Sequence, residues 1–447
     1  MQFVLNELID IDSIAKYPGY EDATPDLIEA ILTEAGKVAS DVLAPLNKTG
    51  DEQGSHLKDG KVVNPEGFPE AFKLFSESGW MGLNQPTEFG GQGLPYLIDT
   101  AVSEMWHGSN MAFTLCPLLT NGAVEAIYAH ASDELKQTYL SNMIEGKWTG
   151  TMNLTEPQAG TDLAAVRTKA TSNGDHYLIK GQKIFITWGD HEMTENIIHL
   201  VLARLPDAPD GVKGISLFLV PKYLVNSDGS IGERNDARAV SLEHKMGIHA
   251  SPTCVMSFGD NDGAIGYLVG EENNGLACMF TMMNRARLAV GTTGIQSLDL
   301  MGRKLMRDKG AGLYDLLSEL KEFNAELQTQ DNAVFASMIK QFDIALIAAT
   351  DTTDWVLANA KNDPNILGAA GVNMMMMLGT TLGGWLLAKS AIVAQKHVDQ
   401  GTTDDFYHNK ITTAQFYAEQ ILPRSVAYAS AVISGHESVM GISTESF

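Results

Sequence analysis

The sequence predicts an α+β multidomain protein: a helical N-terminal domain over residues 1–147, a middle β domain built as a barrel or sandwich over 148–270, and a helical C-terminal domain over 271–447. Three observations carry this prediction. The spacing of apolar residues changes period twice along the chain, from helical to strand-like and back. Short β-branched runs separated by Gly, Asp, Asn and Pro are concentrated between residues 148 and 269. A chain of 447 residues with 44% hydrophobic side chains has the length for two or three domains and the apolar surface to build several cores.

The first long helix is announced by Thr24 as N-cap, Pro25 as first helical residue and Asp26 against the helix dipole. Leu27, Ile28, Ile31, Leu32, Ala35, Val38 and Val42 then keep helical spacing until Pro45, where the helix is expected to end. Further helical patterns cover 68–77, 97–107, 122–130 and 134–144. Among them, the stretch 86–95 with Gly90, Gly91 and Gly93 reads as a tight turn, since a phosphate-cradling loop needs a strand before it and a helix opened by the glycines. Strands are expected over 184–187, 197–204, 215–220, 253–258 and 265–269. Helical spacing returns over 276–288, 313–323, 334–357 and 411–431, while 232–237 and 328–332 are polar enough to be loops. The uncharged stretch 364–388 is long enough to cross a bilayer, but its glycines together with Asn373, Thr380 and Thr381 dilute it, and it reads as a buried helix pair broken near Gly379.

Charge narrows the function classes. A net charge of −24, from 55 acidic against 31 basic side chains, repels nucleic acid phosphates and anionic lipid surfaces, so neither nucleic acid nor membrane is an expected partner. Cys116, Cys254 and Cys278 lie far apart with no C-x-x-C spacing, which suggests neither a metal site nor a disulfide framework and fits a reducing cytoplasm. Residues 1–12 hold Glu7, Asp10 and Asp12 and no basic residue, so no secretory or transit signal is expected in them.

The chemistry-bearing sequence is Met152-Asn153-Leu154-Thr155-Glu156-Pro157-Gln158-Ala159-Gly160-Thr161-Asp162, at the end of the first expected strand. A strand stopping in Thr-Glu-Pro exposes amides and hydroxyls at a sheet rim, because Pro157 cannot continue the ladder and Gly160 permits an unusual turn. Such a rim can hydrogen-bond a flat polar ring. In Lys183-Ile184-Phe185-Ile186-Thr187-Trp188-Gly189, two-residue alternation puts Phe185 and Thr187 on one face, a pairing that suits an isoalloxazine ring. Residue chemistry alone leaves a second reading open, a strand with an ordinary buried Phe and a turn at Gly189.

Thr155-Glu156-Pro157 with Ala159-Gly160-Thr161-Asp162, the Phe185-Ile186-Thr187 strand and Met283-Asn284-Arg285-Ala286-Arg287-Leu288 together resemble the acyl-CoA dehydrogenase family. Phe3-Val4-Leu5, Pro18-Gly19-Tyr20-Glu21-Asp22-Ala23-Thr24, the Met152-Asn153-Leu154 variant and the tail's Phe406-Tyr407, Phe416-Tyr417 and Glu437-Ser438-Val439-Met440 are similar to its branch of 3-methylmercaptopropionyl-CoA dehydrogenases. The resemblance implies FAD between the β domain and the C-terminal helices, with Met152, Leu154 and Thr155 on the pyrimidine side of the flavin and Phe185 and Thr187 as its other contacts. It places Thr161 at the CoA phosphopantetheine and Asn284 and Arg287 near the CoA and the flavin edge. It further implies an acyl-CoA substrate, a short thioether-bearing acyl group, electron-transfer flavoprotein as electron acceptor, and a homodimer or larger even-numbered assembly. In the family's reaction a glutamate removes the α-proton while the β-hydrogen leaves as hydride to the flavin, giving a trans-2-enoyl-CoA.

Here the sequence departs from the family. Gly291-Thr292-Thr293-Gly294-Ile295-Gln296 resembles the stretch just after the catalytic glutamate, yet it follows Arg287-Leu288-Ala289-Val290 directly. In the family several helices separate those segments, carrying the base, residues that reach a neighbour's flavin and the turn that holds the adenine half. Val290 stands at the position matching the base, and no Asp or Glu occurs between Glu272 and Asp299. Either the chain is an abridged form of a longer protein or the gene product has lost the module and become a pseudoenzyme or scaffold. Abridgement is the favoured reading, because losing several helices leaves apolar faces that a soluble monomer rarely tolerates. A chain continuous at the join has consecutive Cα atoms about 3.8 Å apart from Val290 to Thr293.

Overall fold

The computed structural model describes residues 1–9, 11–289 and 293–446. Val290 and the proposed join at 290–292, with the Cα spacing expected there, lie outside the described residues.

Short helical turns at Val4–Leu8 and Ile11–Lys16 precede α1, Pro25–Lys37, whose N-cap Thr24 accepts the Leu27 amide at 3.4 Å. The helix does not stop at Pro45. It passes through a π-helical stretch, Val38–Leu43, into α2, Ala44–Gln53, where Pro45 falls in the first turn and its missing N–H costs nothing. A hairpin of β1, His56–Lys58, and β2, Lys61–Val63, leads to α3, Phe68–Glu77, α4, Tyr96–Ser109, α5, Met111–His130, and α6, Asp133–Ile144. Asn110 caps α5 by accepting the Phe113 amide at 3.1 Å and donates to the Leu43 carbonyl at 3.1 Å, tying α5 to the preceding helical layer.

The β domain comprises β3, Trp148–Asn153, β4, Lys169–Asn173, β5, His176–Thr187, β6, Asn196–Arg204, β7, Ile215–Pro221, β8, Tyr223–Val225, β9, Ile231–Arg234, β10, Ala237–Leu242, β11, Thr253–Phe258, and β12, Ala264–Val269. Its main sheet runs in the order β10-β11-β5-β12-β7-β6-β3, with β4 pairing both β5 and β6, while β8 and β9 form a separate hairpin. β3 pairs parallel to β6, and β6 and β7 are buried almost throughout, as continuous apolar runs require. Residues 232–237 are not simply a loop: β9 runs through Arg234 and Ala237 opens β10. The chain then enters α7, Gly275–Ala289, which packs on α5 and β7. Gly275 permits that packing, since any Cβ there overlaps the backbone of Ser216 and Leu217.

The chain divides into two compact units, Asp10–Ala289 with Met1, and Gln2–Ile9 with Val290–Phe447. The division falls at the position where the sequence departs from the family pattern, and α7 belongs to the first unit.

The second unit holds α8, Thr293–Leu298, a π-helical stretch at Asp299–Leu305, and α9, Ala311–Leu327, α10, Ala336–Asn359, α11, Asn365–Asp399, α12, Asp405–Gln420, α13, Arg424–Ile433, and α14, Glu437–Met440. The expected break near Gly379 is absent: α11 runs unbroken for 35 residues. Its glycines serve packing instead, for Gly383 and Gly384 leave room for Tyr417 and Leu422. The single pattern expected over 411–431 is divided by the turn before Pro423, which starts α13. By length and composition 333–359 and 365–399 could each span a bilayer, yet Phe342, Ala349, Met374 and Ala391 of these helices are buried in one helical core. The segment 2–9 docks on that core, with Leu8 O accepting from Lys389 Nζ at 3.1 Å and Phe3 edge-on to Phe406.

Candidate active site

Beyond Asn153 the strand β3 ends, and Leu154, Thr155 and Glu156 form a rim against β5. The Ile184 amide donates to Thr155 O at 2.9 Å, and Glu156 and Ala159 exchange backbone hydrogen bonds at 3.1 and 2.9 Å, closing the turn that carries Pro157. Met152, Leu154, Thr155 and Thr187 are half-buried. Phe185 is 57% exposed and sits at φ 60°, the left-handed region, which a bulky residue seldom occupies. Opposite it the pairing of β11 with β5 shifts register between Cys254 and Met256. The plain two-residue alternation expected for Phe185 and Thr187 is therefore interrupted: Lys183 and Ile186, three apart, are both buried. The structure thus brings the segments of all five expected cofactor residues together at one rim.

Sequence reasoning missed what holds this rim. Lys183, fully buried, donates from Nζ to Leu154 O at 3.0 Å and to Glu156 Oε1 at 2.8 Å. Glu156 also accepts from the Thr168 hydroxyl at 2.5 Å, the Thr168 amide at 3.0 Å and the Arg167 amide at 2.8 Å. Burial by itself raises the Glu156 carboxyl, but the Lys183 charge and these donors outweigh it and hold the group at about 2. Burial draws Lys183 down to about 8 against the pull of Glu156, so the pair is ionised at neutral pH. No local signal announced the clamp, because plain alternation puts Lys183 on the same face as Phe185 and Thr187. Behind β3, Thr149 and Thr151 meet His191 and His199 at 2.9 and 2.7 Å; burial first, then the Lys222 charge, pulls both imidazoles to about 3, so they are neutral.

The expected substrate residues are more scattered. Thr161 is exposed in the turn after the rim, and Asn284 is exposed on α7. Arg287 is half-buried, 3.4 Å from Asn284 Oδ1 and 5.5 Å above the Phe280 ring. The buried arginine is Arg285, which the sequence reading passed over although it continues the inward face of Cys278 and Met282. Its guanidinium donates to Asp99 Oδ2 at 2.8 Å and to Glu125 Oε1, and lies 4.9 Å over the Tyr96 ring. Burial raises both carboxyls, against the lowering pull of Arg285.

Arg285 stands in the wall of a cavity of about 310 Å³ among α4, α5 and α7. Phe75, Trp80, Tyr96, Trp106, Leu118 and Leu288 give it apolar walls, with Phe75 and Trp80 meeting Trp106 edge-on at 4.6 and 5.3 Å. One helix links cavity and rim: Thr120 of α5 accepts the Gly150 amide of β3 at 3.0 Å, and Ala112 O accepts the Trp188 indole N–H at 3.0 Å. Among the described residues no cluster of three His, Cys, Asp or Glu could hold a metal ion.

Residues 26–147 match the acyl-CoA dehydrogenase N-terminal domain, 151–261 its middle domain, and 316–443 the domain described as acetyl-CoA dehydrogenase C-terminal like. The chain is 32% identical to 3-methylmercaptopropionyl-CoA dehydrogenase of Ruegeria pomeroyi, in an alignment that covers 98% of each. This chain belongs to the acyl-CoA dehydrogenase family. The alignment with the Ruegeria protein runs over 579 positions against a chain of 447 residues, so well over a hundred positions of that relative have no counterpart here. Butyryl-CoA dehydrogenase of Syntrophomonas wolfei is 41% identical over 64% of this chain, which spans only about half, 48%, of that relative. The acyl-CoA dehydrogenase of Geobacillus kaustophilus shares the fold at 17% identity, with a TM-score of 0.50 over 92% of this chain and 98% of that one.

Proposed function

We propose that the chain is the scaffold of an FAD-dependent enzyme converting an acyl-CoA thioester to its trans-2-enoyl-CoA, with a short acyl group such as 3-methylthiopropionyl. The observation that carries this reading is the rim, a backbone edge clamped from behind by Lys183 and faced by an exposed Phe185 in left-handed conformation. Bulky residues keep such conformations where the surroundings over-determine them, most often at ligand sites. The rim fits one edge of a flat polar ring: Met152, Leu154 and Thr155 would hold its polar side, and Phe185 and Thr187 its flank. FAD bound there supplies the hydride acceptor. Thr161, Asn284 and Arg287 would face the CoA, where a guanidinium can fork onto phosphate or carbonyl oxygens. By extension from the family, the protein works as a homodimer or larger even-numbered assembly in the cytoplasm, passes electrons to electron-transfer flavoprotein, and has domains at 1–147, 148–270 and 271–447.

For the chain as it stands a second reading has its own support. No Asp or Glu lies between Glu272 and Asp299, so a base is missing where the family keeps one, and the chain would bind flavin or acyl-CoA without turnover. A complete enzyme would carry a further helical module at 290–292. In keeping with that, Leu288 is 76% and Leu298 58% exposed on either side of the join. Titration with FAD, followed by quenching of flavin fluorescence, tests the site. Weak binding that weakens further in Thr155→Val and Phe185→Ala is the expected result; unchanged binding in both variants would mark the rim as merely structural.

A further inference from the structure

The peptide group that joins Leu154 to Thr155 is held at one end only. Its carbonyl accepts from the buried ammonium of Lys183 at 3.0 Å, whereas among the described residues the Thr155 amide N–H donates to nothing. Thr155 is half-buried at the rim, with its own carbonyl accepting from the Ile184 amide at 2.9 Å. A cation on a peptide oxygen draws electron density through the conjugated C–N bond, so the N–H of that same peptide becomes a stronger donor. Glu156 answers the charge of Lys183, but its carboxylate also takes the Thr168 hydroxyl, the Thr168 and Arg167 amides and the Gln158 side-chain amide. The negative charge is therefore spread over many donors, while the Leu154 carbonyl is one of two acceptors that the ammonium reaches.

We propose that Lys183 is a positioning residue that acts through the Leu154–Thr155 peptide and makes the rim favour a flavin that has accepted a hydride over the oxidised ring. The inference rests on the flavin reading of the rim. A hydride brings one proton and two electrons, so the neutral ring system gains one negative charge, carried on its pyrimidine side; in the proposed reaction the acyl β-carbon supplies that hydride. The pyrimidine side is the one assigned to Met152, Leu154 and Thr155. A strengthened, otherwise unengaged N–H there stabilises the anion more than the neutral ring.

Anaerobic calorimetric titration of the protein at pH 7, once with oxidised FAD and once with dithionite-reduced FAD, reads the preference directly. The wild type should bind reduced FAD roughly tenfold or more tighter, equivalent to about 30 mV on a two-electron potential. Glu156→Gln combined with Lys183→Met removes both charges together and should bring the two affinities toward equality. Phe185→Ala removes a flank contact that carries no charge, so it should weaken both forms alike and keep the ratio. Oxidised FAD binding as tightly as reduced FAD in the wild type, or a ratio retained in the double variant, would overturn the inference; the wild-type ratio decides even where the double variant does not fold. Binding of neither form by the wild type defeats the flavin reading and this inference with it, whereas binding of both without a preference defeats this inference alone.

Discussion

Glu156 and Lys183 show how one buried ion pair holds the edge proposed as the flavin site. The pair joins two segments 27 residues apart and fixes the Leu154 carbonyl. Glu156→Gln leaves a buried ammonium without its counter-charge and should cost about 3–5 kcal/mol, read from urea unfolding, whereas pairing it with Lys183→Met should recover much of the loss. The pH dependence follows in sign. Glu156 titrates at about 2 in the folded chain against 4.5 unperturbed, so its contribution is present above about pH 4.5 and disappears as pH falls toward 2. Acid unfolding of the wild type should show that slope, and Glu156→Gln should lack it. Phe185 makes the opposite case, a left-handed backbone that the proposed flavin site would hold for its ligand. Phe185→Gly should relieve the left-handed backbone and leave the FAD-free protein as stable or up to about 1–2 kcal/mol more stable, while weakening FAD. Equal or tighter FAD binding by that variant would contradict the role. The rim motif was legible because Pro157 and Gly160 must end a strand; its clamp was not, because partners distant in sequence leave no local pattern.

At the level of elements, local rules carried far where one residue decides and failed where packing decides. Thr24 and Pro25 open α1 as expected, and 253–258 is a strand to the residue. Pro45 and Gly379 misled, since proline is tolerated in a first turn and a helix packed on neighbours absorbs an exposed glycine. Two glycine substitutions separate these causes. A Cβ on Gly379 meets nothing within 4 Å, so Gly379→Ala should raise stability by about 0.5–1 kcal/mol. A Cβ on Gly275 runs into the β7 backbone, so Gly275→Ala should cost about 1–3 kcal/mol and disturb the seating of α7. Shifts in urea midpoint check both, and equal effects would show that close approach is not what Gly275 provides.

Across the whole molecule, the family's N-terminal, middle and C-terminal-like domains follow in order, yet the chain is far shorter than its alignment with the Ruegeria relative. The sequence suggests where the missing positions fall, because two family-like segments abut at 290–292 without the residues that normally part them. A base works only when neighbouring helices hold it against substrate in a dry pocket, so Val290→Glu alone should restore nothing. General base catalysis contributes roughly 10²- to 10⁴-fold and positioning more, which leaves the chain as it stands with slow chemistry at best. The most direct measurement is anaerobic stopped-flow absorbance of the protein with excess FAD, mixed with 3-methylthiopropionyl-CoA or butyryl-CoA. Bleaching of the flavin band should be absent or very slow; rapid, stoichiometric bleaching would show a working carboxylate in this chain and contradict the account.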